Sequence, residues 1–322
     1  MAQLIGASAA GPSSACRQEI IDLCRRISTL PPYEAVLAYR DVVRLEEPHI
    51  VAMIPDATAR GKYSTYMKRF TQRPPGRYLT DHNNAQKLTP TLELVRSPDV
   101  ASVLDAACGN GFEAVLFALQ GKPVHANDIS TARITVMQAR AAFYRDLLGP
   151  ALSLSVTCGD AIALADRLQR FDLIYVQEAI SHIHPAESFL REVATRLLTP
   201  SGRLVICDSN GWNPVTRFRI GRQLWAERRT LRHYIVEMVE PETGRKYLMA
   251  EERLFSPPGI RRALRAAGLD LDRLIMSGFT LPQLVRSRRL ATARTAEAVF
   301  SNVPLVRNLG GFYTAICRRR PA

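Results

Sequence analysis

From residue 101 onward the chain alternates short apolar runs with helical stretches of roughly 10–15 residues, and no other feature narrows the fold so far. The runs are Ser102–Ala106, Pro123–Asn127, Leu152–Cys158, Phe171–Gln177, Gly202–Asp208, Leu271–Ser277 and Phe312–Arg318, with helices expected near 112–120, 131–147, 186–198 and 259–267. Alternation of this kind is the signature of βαβ units, in which each crossover helix covers a face of a largely parallel sheet. Between the fifth and sixth runs the pattern is interrupted from Ser209 to Pro258, far longer than an ordinary connection. Long connections at the carboxyl ends of sheet strands commonly build a ligand site, so 209–258 is expected to be an insertion that recognises a substrate.

Ahead of the sheet, residues 1–95 read as a helical extension, and 96–322 as the main domain. Apolar positions recur at helical spacing from Cys16 to Thr29, stop at Pro31-Pro32, and resume from Tyr33 to Leu45. Residues 1–14 are read as a tail without a secretory signal. Between Pro48 and Pro90 the sequence mixes Tyr63, Tyr66, Phe70 and Tyr78 with Lys62, Lys68, Arg69, Arg73 and Arg77 around Pro74-Pro75. Such a stretch suits closure over a ligand, although helical spacing of Tyr63, Tyr66 and Phe70 suits plain core packing equally. The apolar helices fit either a lid or a homodimer contact.

No run approaches the roughly 20 apolar residues of a membrane-spanning helix, and a cytoplasmic location is expected. The six cysteines form no Cys-x-x-Cys pair and no zinc-ligand spacing, so no metal site is expected and the thiols are read as reduced. A net charge of +13 raises a polyanionic partner. The arginines are nonetheless spread along helices, as in Arg261-Arg-Ala-Leu-Arg265, which is how solvated faces look, and nucleic acid is disfavoured.

The strongest local motif is Asp105-x-x-x-Gly109-x-Gly111, after the first apolar run and before the first helix. Glycines there let the chain turn sharply and let backbone N–H groups approach a ligand. Alone, such a turn fits several nucleotides. Its context is more specific. Asp128 ends the second strand, where a carboxylate can accept from both hydroxyls of a ribose, and Cys158-Gly-Asp160-Ala161 follows the third. No Gly-x-x-x-x-Gly-Lys-Ser/Thr loop occurs, and the dinucleotide fingerprint lacks its last glycine because that position is Ala114.

Together these residues resemble the class I S-adenosylmethionine-dependent methyltransferases, over about 100–208 and more loosely over the last strand. The glycine-rich first motif is matched by Leu104-Asp-Ala-Ala-Cys-Gly-Asn-Gly111, with Ala107 where many members carry glycine. The ribose acid is matched by Asp128, the adenine segment by Gly159-Asp160-Ala161, and the fourth-strand motif by Phe171–Ile183. The resemblance implies a Rossmann-like seven-stranded α/β sheet with a helical N-terminal extension and a substrate-cap insertion after strand five. It implies S-adenosylmethionine as cofactor, contacted by Asp105, Ala107, Cys108, Gly109, Asn110, Gly111, Asp128, Ile129, Asp160, Ala161 and Gln177.

In-line methyl transfer to a hydroxyl or amine requires that the acceptor lose a proton. His182 occupies the position of a histidine often found after strand four in small-molecule members, and imidazole titrates near operating pH. Glu178 is the second candidate, steering a cationic acceptor or meeting the amino-acid end of the cofactor. Tyr66 and Trp212 are expected to line the acceptor site. Phe218, Trp225, His233 and Tyr234 with Arg217, Arg219, Arg222, Arg228 and Arg229 make the insertion fit a planar or apolar acceptor carrying an anionic group. A small-molecule O- or N-methyltransferase, of the kind used in specialised metabolism, is therefore expected. The alternatives are an RNA or protein methyltransferase, or a catalytically silent methyltransferase-like subunit. No Asn/Asp-Pro-Pro-Tyr/Phe tetrapeptide follows strand four, which counts against DNA-base amino methylation.

Overall fold

The computed structural model describes residues 14–68, 76–226, 235–239, 244, 246–250, 253–279, 290–304 and 306–320. Arg69, Phe70, Arg73, Pro74 and Pro75, and in the insertion Arg228, Arg229, His233 and Tyr234, lie outside the described residues, as does most of the N-terminal tail.

A seven-stranded sheet runs in the order β3-β2-β1-β4-β5-β9-β8. Its strands are β1 (Val103–Ala106), β2 (Val124–Asp128), β3 (Leu154–Cys158), β4 (Phe171–Gln177), β5 (Leu198–Ser209), β8 (Leu269–Ser277) and β9 (Phe312–Arg319). Pairing is parallel from β3 across to β5 and antiparallel where β9 lies between β5 and β8. The central strands are buried on both faces, which is why they read as unbroken apolar runs rather than as alternation. The strand order reverses between β1 and β4, and ligands bind such sheets in the crevice at that switch point.

Between these strands lie α5 (Phe112–Ala118), α6 (Thr131–Leu148), α7 (Ala186–Glu192), α9 (Pro257–Ala266) and α10 (Leu290–Asn302). Gly268, in the left-handed region at φ 78°, ends the α9 segment as the sequence suggests. The expected helix through 198 is shorter: α7 passes into a π-helical turn at Val193–Leu197, and β5 begins at Leu198, whose extended backbone pairs with Phe171 of β4.

Four helices precede the sheet: α1 (Ser14–Ile27), α2 (Pro32–Met53), α3 (Ala57–Met67) and α4 (Gly76–Val95). Here the structure departs from the sequence reading. α2 continues past Leu45 through Pro48, and α4 runs through Pro90. An internal proline removes a helix hydrogen bond, but burial of the apolar Val42, Val43 and Ile50 of α2, and of Ala85, Leu88, Leu92 and Val95 on one face of α4, outweighs it. All four helices contribute to one core with α5, α6 and the sheet. The insertion contains α8 (Pro214–Ala226) and a hairpin of β6 (Ile235–Val239) and β7 (Lys246–Ala250).

Candidate active site

Beyond β1 the chain turns through Ala107, Gly109 and Gly111 at φ 60°, 56° and 72°, all left-handed. At Gly111 a Cβ would stand 1.6 Å from the Met137 sulfur, so any other residue would have to displace that buried side chain as well as adopt a left-handed backbone. A Cβ on Gly109 would meet nothing within 4 Å, so its backbone borders open space. Ala107 takes the same conformation with a side chain, a strain of roughly 1 kcal/mol that glycine would not carry.

Asp128, at the end of β2, holds this turn in shape. Its carboxylate accepts from the Gly109 N–H at 2.8 Å and from the Ser130 N–H at 2.8 Å, and each oxygen retains a second lone pair. The Cys108 N–H donates to the Asn127 carbonyl at 2.9 Å, so β2 orders the turn through backbone as well. Ile129 lies half-buried beside Asp128, and Ala161 is buried below the β3 end. Asp160 accepts from the Ile162 N–H at 2.9 Å, which gives it a turn-forming role. Burial, then Glu113 and Asp128, pushes the Asp105 carboxyl well above the usual range, and its Oδ2 is buried without a hydrogen-bond partner. Burial also pushes the Cys108 thiol well up, so it packs rather than reacts.

The N-terminal helices reach the same turn. Arg140 on α6 donates from Nη1 to the Asn110 carbonyl at 3.0 Å, from Nε to Glu46 at 2.9 Å and from Nη2 to the Tyr39 hydroxyl at 2.8 Å. Both Arg140 and Glu46 are fully buried. The guanidinium lies 4.2 Å from the centre of the Phe112 ring, on which Tyr66 stacks at 5.5 Å and Tyr63 at 6.4 Å. Tyr63 is therefore core, whereas Tyr66 keeps 36% exposure beside the site. Its phenol is pushed up to about 12 by burial, then by Glu113 and Glu178.

At the end of β4, Gln177 donates from Nε2 to Glu113 at 3.0 Å and accepts from the Tyr175 hydroxyl. Glu178 sits at φ 46°, and its Oε1 accepts from Lys87 Nζ at 2.6 Å. Lys87 comes from α4, its side chain only 5% exposed, with its ammonium 4.4 Å from the Phe312 ring centre. Burial works to lower the Lys87 ammonium, but Glu178 facing it reverses the sign and the net shift is upward. Glu178 thus already faces a protein cation. Sequence reading missed Lys87 and Glu113; the one signal for Lys87 is its position between the core residues Ala85 and Leu88 on a helix that Pro90 disguises.

Past Glu178, Asp208 accepts from the Ser181 N–H at 3.0 Å and hydroxyl at 3.2 Å, which fixes the loop carrying His182. The insertion closes on that loop: Ala250 N–H donates to the His182 carbonyl at 2.9 Å, and Ile183 bridges Met249. His182 Nδ1 lies 3.2 Å from the Ala250 carbonyl oxygen. A carbonyl only accepts, so the hydrogen-bond network assigns the proton to Nδ1 and leaves a lone pair on Nε2. Trp212, just past β5, is 41% exposed, its N–H donating to Asn210 at 2.9 Å. No group of three or more potential metal-ligating side chains occurs among the described residues.

Residues 104–206 match the family model described as a methyltransferase domain. A ubiquinone biosynthesis O-methyltransferase from Chelativorans sp. is 26% identical over 171 residues, covering 52% of this chain and 58% of that protein. One from Coxiella burnetii is 29% identical over 108 residues, covering 34% and 43%. The chain thus spans less than two thirds of the length of either relative. Among solved structures, a magnesium protoporphyrin IX methyltransferase from Synechocystis with bound SAH aligns at a TM-score of 0.49 and 17% identity, covering 83% of this chain and all of that one.

The matched segment, 104–206, thus carries the sheet that reverses between β1 and β4 and the Asp128-braced glycine turn, and it is similar to a methyltransferase domain. The cofactor that the sequence resemblance implies is S-adenosylmethionine. The residues present fit that molecule. Asp128 keeps acceptor capacity for ribose hydroxyls, the Gly109 backbone borders open space, and the orphaned Asp105 oxygen is a buried acceptor that a ligand N–H would satisfy.

Proposed function

We propose that the protein transfers a methyl group to an oxygen or nitrogen of a small-molecule acceptor, with His182 as the base. The observation that carries this reading is the 3.2 Å contact between His182 Nδ1 and the Ala250 carbonyl, which orients the ring and leaves Nε2 able to take a proton. Bound S-adenosylmethionine supplies an electrophilic methyl carbon. Asp128, Gly109 and Gly111 hold it, and Asp105 stands beneath the turn with its buried oxygen. Gln177, braced by Glu113, and Tyr66, stacked on Phe112, border the acceptor side. Lys87 offsets the Glu178 charge there, which favours a neutral or anionic acceptor over a cationic one. Trp212 and the insertion form the outer wall. Two curated relatives named as ubiquinone biosynthesis O-methyltransferases support oxygen as the acceptor atom.

The test is methyl transfer from labelled S-adenosylmethionine to a panel of phenols, carboxylic acids and amines, with cofactor binding followed separately. Asp128→Ala should weaken cofactor binding by at least about tenfold, the loss of a charge-assisted pair of hydrogen bonds. His182→Ala should leave binding intact and lower kcat by roughly 10²-fold or more. A His182→Ala variant with normal turnover removes the base assignment and leaves the cradle standing.

A further inference from the structure

Helix α8 of the insertion exposes its arginines and its largest apolar side chains alike. Its sequence, Pro-Val-Thr-Arg-Phe-Arg-Ile-Gly-Arg-Gln-Leu-Trp-Ala, has three arginines and no acidic residue. Val215, Phe218, Arg222 and Trp225 follow one another at three- or four-residue spacing, so they share one stripe, with Arg219 beside it. The apolar members of that stripe are the outward ones: Val215 is 75% exposed, Phe218 74% and Trp225 83%. The helix is not loosely attached. Asn213 accepts from the Thr216 N–H at 2.8 Å as its cap and donates to the Leu309 carbonyl at 2.7 Å, while Asn210 donates to the carbonyls of Asn308 and Gly310. The fold thus holds two large aromatics in solvent on an anchored helix.

We infer that this face of α8 docks on an anionic phospholipid bilayer. Aromatic and aliphatic side chains interleaved with arginine are what an interfacial helix uses, the rings entering the acyl boundary while guanidinium groups meet headgroup phosphates. A second copy of the chain fits less well. Symmetric pairing would set Arg219 and Arg222 against the same residues of the partner, with no acid on the helix to answer them. No helix among the described residues is long and apolar enough to cross a membrane, so the contact is with the surface. The inference stands apart from the proposed methyl acceptor, since it needs no catalysis.

Sedimentation of the full chain with vesicles of phosphatidylcholine, with and without phosphatidylglycerol, tests it. Binding is expected to the mixed vesicles, to weaken with salt, and to fall about tenfold or more in Val215→Ser/Phe218→Ser/Trp225→Ser. Arg219→Gln/Arg222→Gln should weaken binding to the mixed vesicles alone. S-adenosylmethionine binding, unchanged in both variants, shows that they fold. Three results overturn the inference: a wild-type protein that ignores both vesicle types, a triple serine variant that binds like wild type, or a wild-type dimer that the triple variant converts to monomer without any vesicle binding.

Discussion

The two walls of the crevice are built on opposite principles. On the N-terminal side, helices α2 and α4 each present a buried charge that is paired with the sheet domain, Glu46 with Arg140 of α6 and Lys87 with Glu178 beyond β4. On the insertion side, β7 and α8 are fastened through backbone groups and asparagine amides, and Val215, Phe218 and Trp225 of α8 point outward. The first arrangement fixes geometry, because an ion pair out of water is intolerant of losing one member. The second fixes position but leaves side chains free to vary, as a recognition surface requires.

The sharpest way to break this contrast is Arg140→Met. It strands Glu46 at zero exposure and should cost about 3–5 kcal/mol in urea unfolding, with much of the loss recovered by Arg140→Met/Glu46→Leu. If the single variant costs under about 1 kcal/mol, the buried pair is not what joins extension to sheet. Lys87→Met removes a buried ammonium too, but Glu178 is 48% exposed and water can solvate it. A smaller loss, about 1–2 kcal/mol, is expected, together with a fall in kcat that Lys87→Arg partly restores.

Third in size is a pH effect at Asp105. Its folded pKa is raised by burial, so its proton favours the folded state. The resulting stability is full below the unfolded value of about 3.9 and is lost as pH rises toward the folded value. Stability of the cofactor-free protein should therefore decline from acid toward neutral pH less steeply in Asp105→Asn than in wild type, as read from urea midpoints. Equal slopes would mean that Asp105 does not carry the raised pKa. The smallest effect belongs to the other wall: Phe218→Ser/Trp225→Ser should change the unfolding free energy read from urea melts by no more than about 0.5 kcal/mol, whereas Tyr63→Ser, in the core, should cost several times that.

What could be read from sequence divides along the same line. The inner strands of the main sheet were legible because two-faced burial writes an unbroken apolar run, and Asp128 because its distance from the glycine turn is set by one βαβ unit. The extension was half-legible. Prolines 48 and 90 obey a local rule that long-range burial overrode. Lys87 and Arg140 were invisible because their partners, Glu178 and Glu46, lie 91 and 94 residues away, and nothing in a single sequence ties such positions together. Positive φ at Ala107 and Glu178 was likewise hidden, since neither residue type signals it. The β6–β7 hairpin was lost because the apolar Ile235, Met238 and Val239 of β6 are exposed rather than in register with a core.

The grip of Arg140 on Asn110, Glu46 and Tyr39 bears on ancestry. Residue 95 marks a change of pattern in the sequence, yet one guanidinium spans it, touching the glycine turn on one side and α2 on the other. Recombination that spliced this sheet onto a foreign leader would transplant a cation with no counter-charge and release the turn from its brace. Extension and sheet are therefore expected to have been inherited as one unit, and Glu46 and Arg140 to change together or not at all.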